Sequence, residues 1–374
     1  MNFLEQIKRY PQDRVLAGIT NASSQQIDTA LNTSRLTLED FACLLSPAIS
    51  DDQLERLAGR AQRITRQRFG RIILLYAPLY LSNECHNGCK YCGFNAENHL
   101  HRKTLSLLEI EREAQILRQE GFRHMLLLTG EAPEVAGIEY LEEAVKIIKH
   151  HCGSVSIEVF PMDTDGYKRM VNAGVDGLAL YQETYDQQLY LELHPYGPKS
   201  DYSYRLLAPE RAGEAGFRRI GIGSLLGLGD SLSDVFYSGL HALFLARKYW
   251  KTHVSVSFPR IRPAEGAFQP QSIVSDRQLT QFICAMRILL PDAGLVLSTR
   301  EEADLRDNLL SLGITQMSAG SCTAPGGYGG KADDNQQFEV SDHRTPAEIE
   351  SLLKSKGYEA VWKDWDLAFL NQAS

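Results

Sequence analysis

One stretch decides the fold: residues 71–92 read RIILLYAPLYLSNECHNGCKYC. Its first half is a continuous apolar and β-branched run, which is the pattern of a parallel strand covered on both faces. Its second half places Cys85, Cys89 and Cys92 on one loop, separated by three and then two residues. Thiolates at this spacing can direct their sulfurs to one centre, and they are soft ligands that suit zinc or iron–sulfur clusters. The stretch therefore predicts a buried strand that leads directly into a metal site.

From this strand onward, strand-like and helix-like patterns alternate along the chain. Strands separated by helices form parallel βαβ units, and eight such units predict a closed (β/α)8 TIM barrel, with a doubly wound open sheet as the alternative. We expect a helical extension over residues 1–70, the barrel over residues 71–320, and a C-terminal segment over residues 321–374 that closes the barrel. The eight strands are predicted to begin near residues 72, 124, 155, 177, 218, 253, 294 and 314.

The composition excludes several classes of protein. Hydrophobic residues make up 43% and charged residues 23%, which is typical of a globular protein with a large core. A net charge of −8 argues against nucleic acid or an anionic membrane surface as the main partner. No apolar run reaches membrane-spanning length, and the first residues lack the apolar core of a signal peptide. Seven cysteines do not form an evident disulfide framework, so we expect a cytoplasmic protein.

The three thiolates leave two kinds of metal site to consider. A closed structural zinc site needs four ligands, so His86 or a distant cysteine would have to complete it. A cluster of four irons held by three cysteines instead leaves one iron free for a ligand that is not protein. Polar and glycine-rich runs follow the predicted strands far more often than they precede them. Because active sites of (β/α)8 barrels lie at that end of the strands, this asymmetry favours the catalytic cluster.

The cysteine motif, with Phe94 one position past Gly93, resembles the signature of the radical S-adenosylmethionine enzymes. The resemblance implies that Cys85, Cys89 and Cys92 hold a [4Fe-4S] cluster. It implies that the fourth iron binds the amino and carboxylate groups of S-adenosyl-L-methionine. The reduced cluster of that family splits the sulfonium and releases a 5′-deoxyadenosyl radical.

The resemblance extends to other contacts of S-adenosylmethionine. The run Thr129-Gly130-Glu131 resembles the motif after strand two that lines the methionine amino group. Arg205 lies in a stretch similar to a biotin-synthase-type helix whose arginine pairs with the methionine carboxylate, although a solvated helix residue is the alternative. Glu158 and Glu183, near the ends of strands three and four, are acceptors of the kind that bind ribose hydroxyls. The sequence does not decide which of the two does so.

A longer match, over roughly residues 70–345, links the chain to the aromatic amino acid lyases of this superfamily. It includes the runs QETY, HPYGPK, PRIRP, STRE and SAGSCTAPGGY. Within the family the chain resembles the tyrosine lyases that supply the thiazole of thiamine, which cleave the Cα–Cβ bond of L-tyrosine to p-cresol and 2-iminoacetate. The tyrosine lyases of hydrogenase cofactor assembly carry a second cysteine motif near their C-terminus. Here the last cysteine is Cys322, so the thiamine type is expected.

The family resemblance also implies the residues that bind the substrate. Arg300, after strand seven, matches the carboxylate-binding arginine, and Ser318 and Ser321 are expected to add hydrogen bonds to the same group. Tyr80 matches a tyrosine that orients the substrate amine near the deoxyadenosyl carbon, although an aromatic residue that fills the barrel mouth is the alternative. Orientation matters because a primary radical abstracts the nearest hydrogen.

Several points stay open. A tryptophan lyase, a sulfur-insertion enzyme and a non-catalytic iron–sulfur or zinc protein are the other interpretations. Arg260 and Arg262 either assist the substrate carboxylate or brace their loop. The unstable imine product implies handover to a thiazole synthase, and reduction of the cluster implies an electron donor of the flavodoxin or ferredoxin type.

Overall fold

The centre of the molecule is a closed barrel of eight parallel strands. The computed structural model describes residues 1–266, 268–330 and 336–362. Each strand pairs with the next in chain order, and β1 pairs with both β2 and β8, which closes the ring. The predicted (β/α)8 barrel is therefore confirmed. Its strands are β1 Ile72–Ser82, β2 His124–Thr129, β3 Ser154–Glu158, β4 Gly177–Ala179, β5 Arg219–Gly223, β6 His253–Ser257, β7 Gly294–Leu297 and β8 Gln316–Ser318.

Strand β1 places the cysteine loop at the barrel mouth. The strand is almost entirely buried, and it pairs with β8 through residues 74–76 and with β2 through residues 77–82. Its register shifts between Tyr80 and Ser82, and an irregularity of this kind bends the end of a strand. The loop therefore begins where the carboxyl ends of all eight strands meet.

Helices surround the barrel and also precede it. The five N-terminal helices are α1 Phe3–Ile7, α2 Gln12–Thr20, α3 Ser24–Asn32, α4 Leu38–Leu44 and α5 Asp51–Phe69. The helices that follow the strands are α6 Leu107–Gln119, α7 Ile138–Lys149, α8 Thr164–Ala173, α9 Gln187–Leu193, α10 Tyr202–Leu206, α11 Ala208–Ala215, α12 Ser231–Lys248, α13 Asp276–Leu289, α14 Ala303–Leu309 and α15 Pro346–Ser355. No helix in these ranges is long and apolar enough to cross a membrane.

The N-terminal helices cover one side of the barrel. Local signals start them: the Ser50 side chain accepts the Gln53 N–H at the start of α5, and the Gln53 side chain accepts the Ser50 N–H in return. Helix α5 packs against α13, and α2 packs against α12. The predicted helical character of residues 1–70 is confirmed.

A ninth strand, β9 Glu359–Val361, was not predicted. It pairs in parallel with residues 72–74 of β1, at the end of that strand opposite the cysteine loop. Its residues, Glu359, Ala360 and Val361, do not belong to a longer apolar run of the kind that predicted the barrel strands. The division of the chain at residues 70 and 320 stays a prediction, and residues 331–335 and 363–374 of the C-terminal segment lie outside the described residues.

Two glycines test how closely the helical layer packs. A Cβ added to Gly239 of α12 would lie 2.7 Å from Phe41 and 2.9 Å from Leu289, whereas a Cβ on Gly18 of α2 would meet nothing within 4 Å. We expect Gly239→Ala to lower the free energy of unfolding by about 1–2 kcal/mol, because overpacking outweighs the gain in helix propensity. The control Gly18→Ala should raise it by about 0.5–1 kcal/mol. Urea unfolding followed by circular dichroism measures both, and equal shifts would contradict the close contact.

Candidate active site

The cysteine loop leaves β1 and remains irregular until α6. Cys89 is buried, Cys85 and Cys92 are half-buried, and all three are free thiols. Two side-chain amides are directed at the sulfurs: Asn87 Nδ2 lies 3.7 Å from Cys85 Sγ, and Gln337 Nε2 lies 3.8 Å from Cys92 Sγ. Burial raises the pKa of the Cys89 thiol, so a thiolate here requires a metal to stabilise it.

The donor set fits a [4Fe-4S] cluster. The charges of Cys85 and Cys92 both act on Cys89, so the three thiols are near neighbours. Within residues 1–266, 268–330 and 336–362, no group of three His, Cys, Asp or Glu side chains is arranged around a single metal ion. In a cluster each cysteine binds a different iron, so its sulfurs stand farther apart than the ligands of one ion. Amide donors to the sulfurs are also a feature of iron–sulfur sites.

The end of β2 lies directly against this loop. The Gly130 N–H donates to the Ser82 carbonyl at 2.9 Å, and the His86 N–H donates to the Glu131 carbonyl at 3.2 Å. A Cβ on Gly130 would overlap the carbonyl of Glu84, so a side chain there would push the loop away from the strand. The glycine of the Thr129-Gly130-Glu131 run therefore permits close approach of the two backbones.

A buried ion-pair network lies behind the cysteine loop. Arg205 Nη1 donates to Glu131 Oε1 at 2.8 Å, and Arg205 Nε donates to the Tyr181 carbonyl at 2.8 Å. The second oxygen of Glu131 accepts the Asn87 side-chain amide at 3.0 Å. Arg205 is buried, so it is not a solvated helix residue. The network connects α10, the end of β2 and the cysteine loop.

Glu183 belongs to the same network. Its Oε1 accepts Lys199 Nζ at 2.6 Å and lies 3.6 Å from Arg205 Nη2. Burial alone would raise the pKa of Glu183, but the charges of Lys199 and Arg205 outweigh burial and lower it, so this carboxylate is ionised at neutral pH. Lys199 was not predicted as a site residue, although it lies in the HPYGPK run.

The backbone of Glu183 is held in an uncommon conformation. Its φ of 72° is in the left-handed region, and within the described ranges no other residue except glycine has a positive φ. The carboxylate of Asp234 on α12 fixes the residues that follow, because its Oδ1 accepts Thr184 Oγ1 at 3.0 Å and the Tyr185 N–H at 2.8 Å. A conformation of this kind persists only where neighbours enforce it, and it occurs preferentially at functional sites.

Arg300 and Glu158 line the cavity at the mouth of the barrel. The Arg300 guanidinium carbon lies 3.3 Å from the ring centroid of Phe338, and among the described residues no carboxylate forms an ion pair with it. Burial lowers the pKa of Arg300. The side-chain carboxyl of Glu158 has no hydrogen-bond partner within those residues; burial raises its pKa to about 7, and the charge of Glu183 acts in the same direction. The cavity therefore presents an unpaired cation and a carboxyl group that titrates near neutrality.

Tyr80 lies between this cavity and the cysteine loop. Its hydroxyl donates to Gln337 Oε1 at 2.7 Å, and its ring meets that of Phe94 edge to face at a centroid distance of 5.9 Å. Both rings are buried. Tyr80 is therefore fixed in orientation by one hydrogen bond and one aromatic contact.

Three hydroxyl groups of the predicted site differ in their partners. Ser318 Oγ accepts the Thr299 N–H at 3.0 Å, and its hydroxyl also forms a hydrogen bond with the side chain of Tyr76. Ser321 Oγ and Thr129 Oγ1 are buried and have no partner among the described residues. Buried hydroxyls normally find a partner, so both are suited to receive one from a ligand.

The cavity collects about half of the predicted site residues. Those in its lining are Tyr80, Cys92, Glu158, Glu183, Arg300, Ser318 and Ser321. Those that stand behind the lining are Cys85, Cys89, Phe94, Thr129, Gly130, Glu131 and Arg205. Lys199, Gln337 and Phe338 are among the lining residues that were not predicted as site residues.

The two arginines after β6 have different surroundings. Arg260 binds Glu301 through Nε and Nη2, and its Nη1 donates to Asp276 at 2.8 Å. It therefore braces the loops. Arg262 contacts the same Glu301 at 3.3 Å and also lines the cavity.

Known proteins share both the sequence and the fold. Residues 79–236 match the Radical SAM superfamily, and residues 257–359 match the Biotin and Thiamin Synthesis associated domain. The chain is 41% identical to the 2-iminoacetate synthase of Salmonella typhimurium and 42% identical to that of Escherichia coli, in each case over 100% of this chain and 98% of the relative. The FeFe-hydrogenase maturase HydG from Carboxydothermus hydrogenoformans has a TM-score of 0.84 at 36% identity, over 96% of this chain and 82% of its own.

Replacement of a single thiol tests the cluster site. We expect Cys89→Ala to abolish the visible absorbance that appears when the protein is reconstituted anaerobically with iron and sulfide, because two cysteines cannot retain the cluster. The control Cys43→Ala, in α4 and far along the chain from the loop, should keep that absorbance and the same iron content. Retention of full iron content by Cys89→Ala would contradict the assignment.

The titration of Glu158 predicts a pH effect on stability. Its pKa is raised in the folded protein from an ordinary 4.5 to about 7, so its contribution is fully present below pH 4.5 and is lost as the pH rises through 7. We expect the melting temperature of the ligand-free protein to fall more between pH 5 and pH 8 than that of Glu158→Gln. If the melting temperatures of the two proteins change equally with pH, ionisation of Glu158 does not lower the stability of the folded protein.

Proposed function

We propose that this chain, which belongs to the 2-iminoacetate synthase family within the Radical SAM superfamily, is a tyrosine lyase. It is a radical S-adenosylmethionine enzyme that uses a [4Fe-4S] cluster and S-adenosyl-L-methionine, as its family does. The proposed reaction cleaves the Cα–Cβ bond of L-tyrosine to 2-iminoacetate and p-cresol, with 5′-deoxyadenosine and methionine from the cofactor. One observation carries the proposal: the unpaired Arg300 lines the same cavity as the cluster cysteine Cys92.

The cofactor side of the cavity follows from the network behind the cysteine loop. Cys85, Cys89 and Cys92 would hold the cluster, which together with S-adenosylmethionine supplies a 5′-deoxyadenosyl radical when both are bound. Phe94, the Thr129-Gly130-Glu131 run and Arg205 surround that loop and are the proposed contacts of S-adenosylmethionine. Glu183 is the proposed acceptor for the ribose hydroxyls, because it is ionised and its second oxygen has no donor among the described residues.

The substrate side is built from the ends of β1, β3, β7 and β8. Arg300 would bind the tyrosine carboxylate with its free N–H groups, and Ser318 and Ser321 would donate to the same group. Tyr80 would orient the amine. Glu158 would accept a proton from the substrate ammonium, since abstraction of a hydrogen atom from nitrogen starts from the neutral amine and a pKa of about 7 suits a base at neutral pH.

The other interpretations have less support. The four cysteines outside the loop, Cys43, Cys152, Cys284 and Cys322, are free thiols in different parts of the chain, so they offer no evident second set of cluster ligands for sulfur insertion. A non-catalytic scaffold would have no use for an unpaired arginine in a cavity. A tryptophan lyase shares the carboxylate-binding chemistry, so substrate choice has to be measured.

Partners and location are part of the same proposal. A thiazole synthase would receive the imine, which water hydrolyses, and a flavodoxin or ferredoxin would supply electrons to the cluster. The free thiols of all seven cysteines are consistent with a reducing compartment, so we infer a cytoplasmic enzyme.

Product analysis tests the reaction. Reconstituted protein incubated anaerobically with S-adenosylmethionine, dithionite and tyrosine should release p-cresol together with 5′-deoxyadenosine. Arg300→Met should keep the cluster absorbance but lose about 100-fold in kcat/KM for tyrosine, because two charge-assisted hydrogen bonds to the carboxylate disappear. The control Arg277→Met removes an arginine that pairs with Asp51 at the surface and should keep full activity.

Three outcomes would contradict the proposal. Product from tryptophan but not from tyrosine would indicate a tryptophan lyase. Release of 5′-deoxyadenosine without p-cresol would indicate another radical enzyme. Full activity of Arg300→Met would show that the substrate carboxylate binds elsewhere.

A further inference from the structure

A short segment of the C-terminal part, Gln337 and Phe338, crosses the barrel mouth; we call it the strap. Its backbone is fixed on both sides, because the Gly93 N–H donates to the Gln337 carbonyl at 3.2 Å and the Gln337 N–H donates to the Thr323 carbonyl at 3.1 Å. Thr323 Oγ1 also donates to the Phe338 carbonyl at 3.2 Å. A Cβ on Gly93 would overlap the Gln337 carbonyl, so the strap lies directly on the cysteine loop.

The side chain of Gln337 connects a cluster ligand to Tyr80. Its Nε2 lies 3.8 Å from Cys92 Sγ, and its Oε1 accepts the Tyr80 hydroxyl at 2.7 Å. A primary amide has both donors and an acceptor, so one glutamine can serve both partners. The thiolate can only accept, which fixes the nitrogen on the side of Cys92.

The side chain of Phe338 supports Arg300 from its flat face. The guanidinium carbon lies 3.3 Å from the ring centroid, which is a stacked cation–π arrangement. The five N–H donors of arginine point outward in the guanidinium plane, so stacking leaves them available. An aspartate or glutamate in this position would also hold Arg300, but it would occupy the donors that a substrate carboxylate needs.

We propose that Gln337 and Phe338 are positioning residues that set the substrate against the cluster. Phe338 orients the carboxylate-binding arginine, Gln337 orients the tyrosine beside the amine, and the two are consecutive in a strap bonded to the cysteine loop. The inference rests on the proposed function, because it assigns Arg300 and Tyr80 to the amino acid. Positioning matters because a misplacement of about 1 Å can cost a hundredfold in rate.

Variants at Phe338 test the stacking. Phe338 is half-buried, so substitutions there should be tolerated. We expect Phe338→Leu to raise KM for tyrosine about tenfold and to increase the ratio of 5′-deoxyadenosine to p-cresol, with an unchanged affinity for S-adenosylmethionine. Phe338→Tyr retains the ring and should restore both values. The neighbouring Glu339→Gln is the control and should behave as the wild type.

Variants at Gln337 separate its two contacts. Gln337→Glu can still accept the Tyr80 hydroxyl but loses the donor to Cys92, whereas Gln337→Leu loses both. Because a hydrogen bond to a cluster sulfur stabilises the reduced cluster, the midpoint potential should fall in Gln337→Leu and fall further in Gln337→Glu, where a negative charge is added. A redox titration followed by electron paramagnetic resonance without tyrosine measures this. Only Gln337→Leu should also raise the ratio of 5′-deoxyadenosine to p-cresol, because Tyr80 loses the acceptor that holds its hydroxyl in place.

The two proposals fail in different ways. If the wild type forms no p-cresol from tyrosine, the proposed function is wrong, while the potentials of the Gln337 series still test its contact with Cys92. If the wild type cleaves tyrosine and every strap variant keeps the wild-type KM, product ratio and potential, the strap has no positioning role. Loss of cluster content in all variants, with no recovery in Phe338→Tyr, would show a structural role only and would overturn the inference.

Discussion

The buried ion pair between Arg205 and Glu131 is the contact on which the candidate site depends. It joins α10, which follows the fourth strand, to the end of the second strand, and Glu131 transmits the constraint to the cysteine loop through Asn87. Buried ion pairs contribute little net stability because both charges lose their hydration, but an arrangement that leaves one partner alone is strongly disfavoured. The pair therefore favours one conformation of the loop. That conformation sets where the three thiols lie relative to one another in space.

Two carboxyl groups at neighbouring strand ends differ in charge because their neighbours differ. Glu183 faces Lys199 and Arg205, which keep it ionised, whereas Glu158 has no such partner among the described residues and titrates near neutrality. When the surroundings shift the pKa values of two identical groups in opposite directions, the two groups can take different chemical roles.

The sequence predicts those features that a local pattern determines. The apolar run of β1, the eightfold alternation and the spacing of Cys85, Cys89 and Cys92 were sufficient for the barrel and for the superfamily. Lys199 was not predicted as a site residue because most lysines are exposed. Its burial beside Glu183 depends on the path of the chain between distant strands. Gln337 and Phe338 belong to no motif. Their importance arises only when the C-terminal segment closes over the barrel mouth, which no local pattern encodes.

The three partners of β1 have a consequence for biosynthesis. This strand is made early, yet it pairs with β8 and with β9, which begin at residues 316 and 359. Strand pairing over such separations has to wait until both partners exist. The barrel therefore cannot close until residues 316–318 have been made, and the cysteine loop lacks the cover of Gln337 until residue 337 has left the ribosome. Insertion of iron into the covered pocket accordingly has to follow synthesis of the strap, more than two hundred residues after the cysteines themselves.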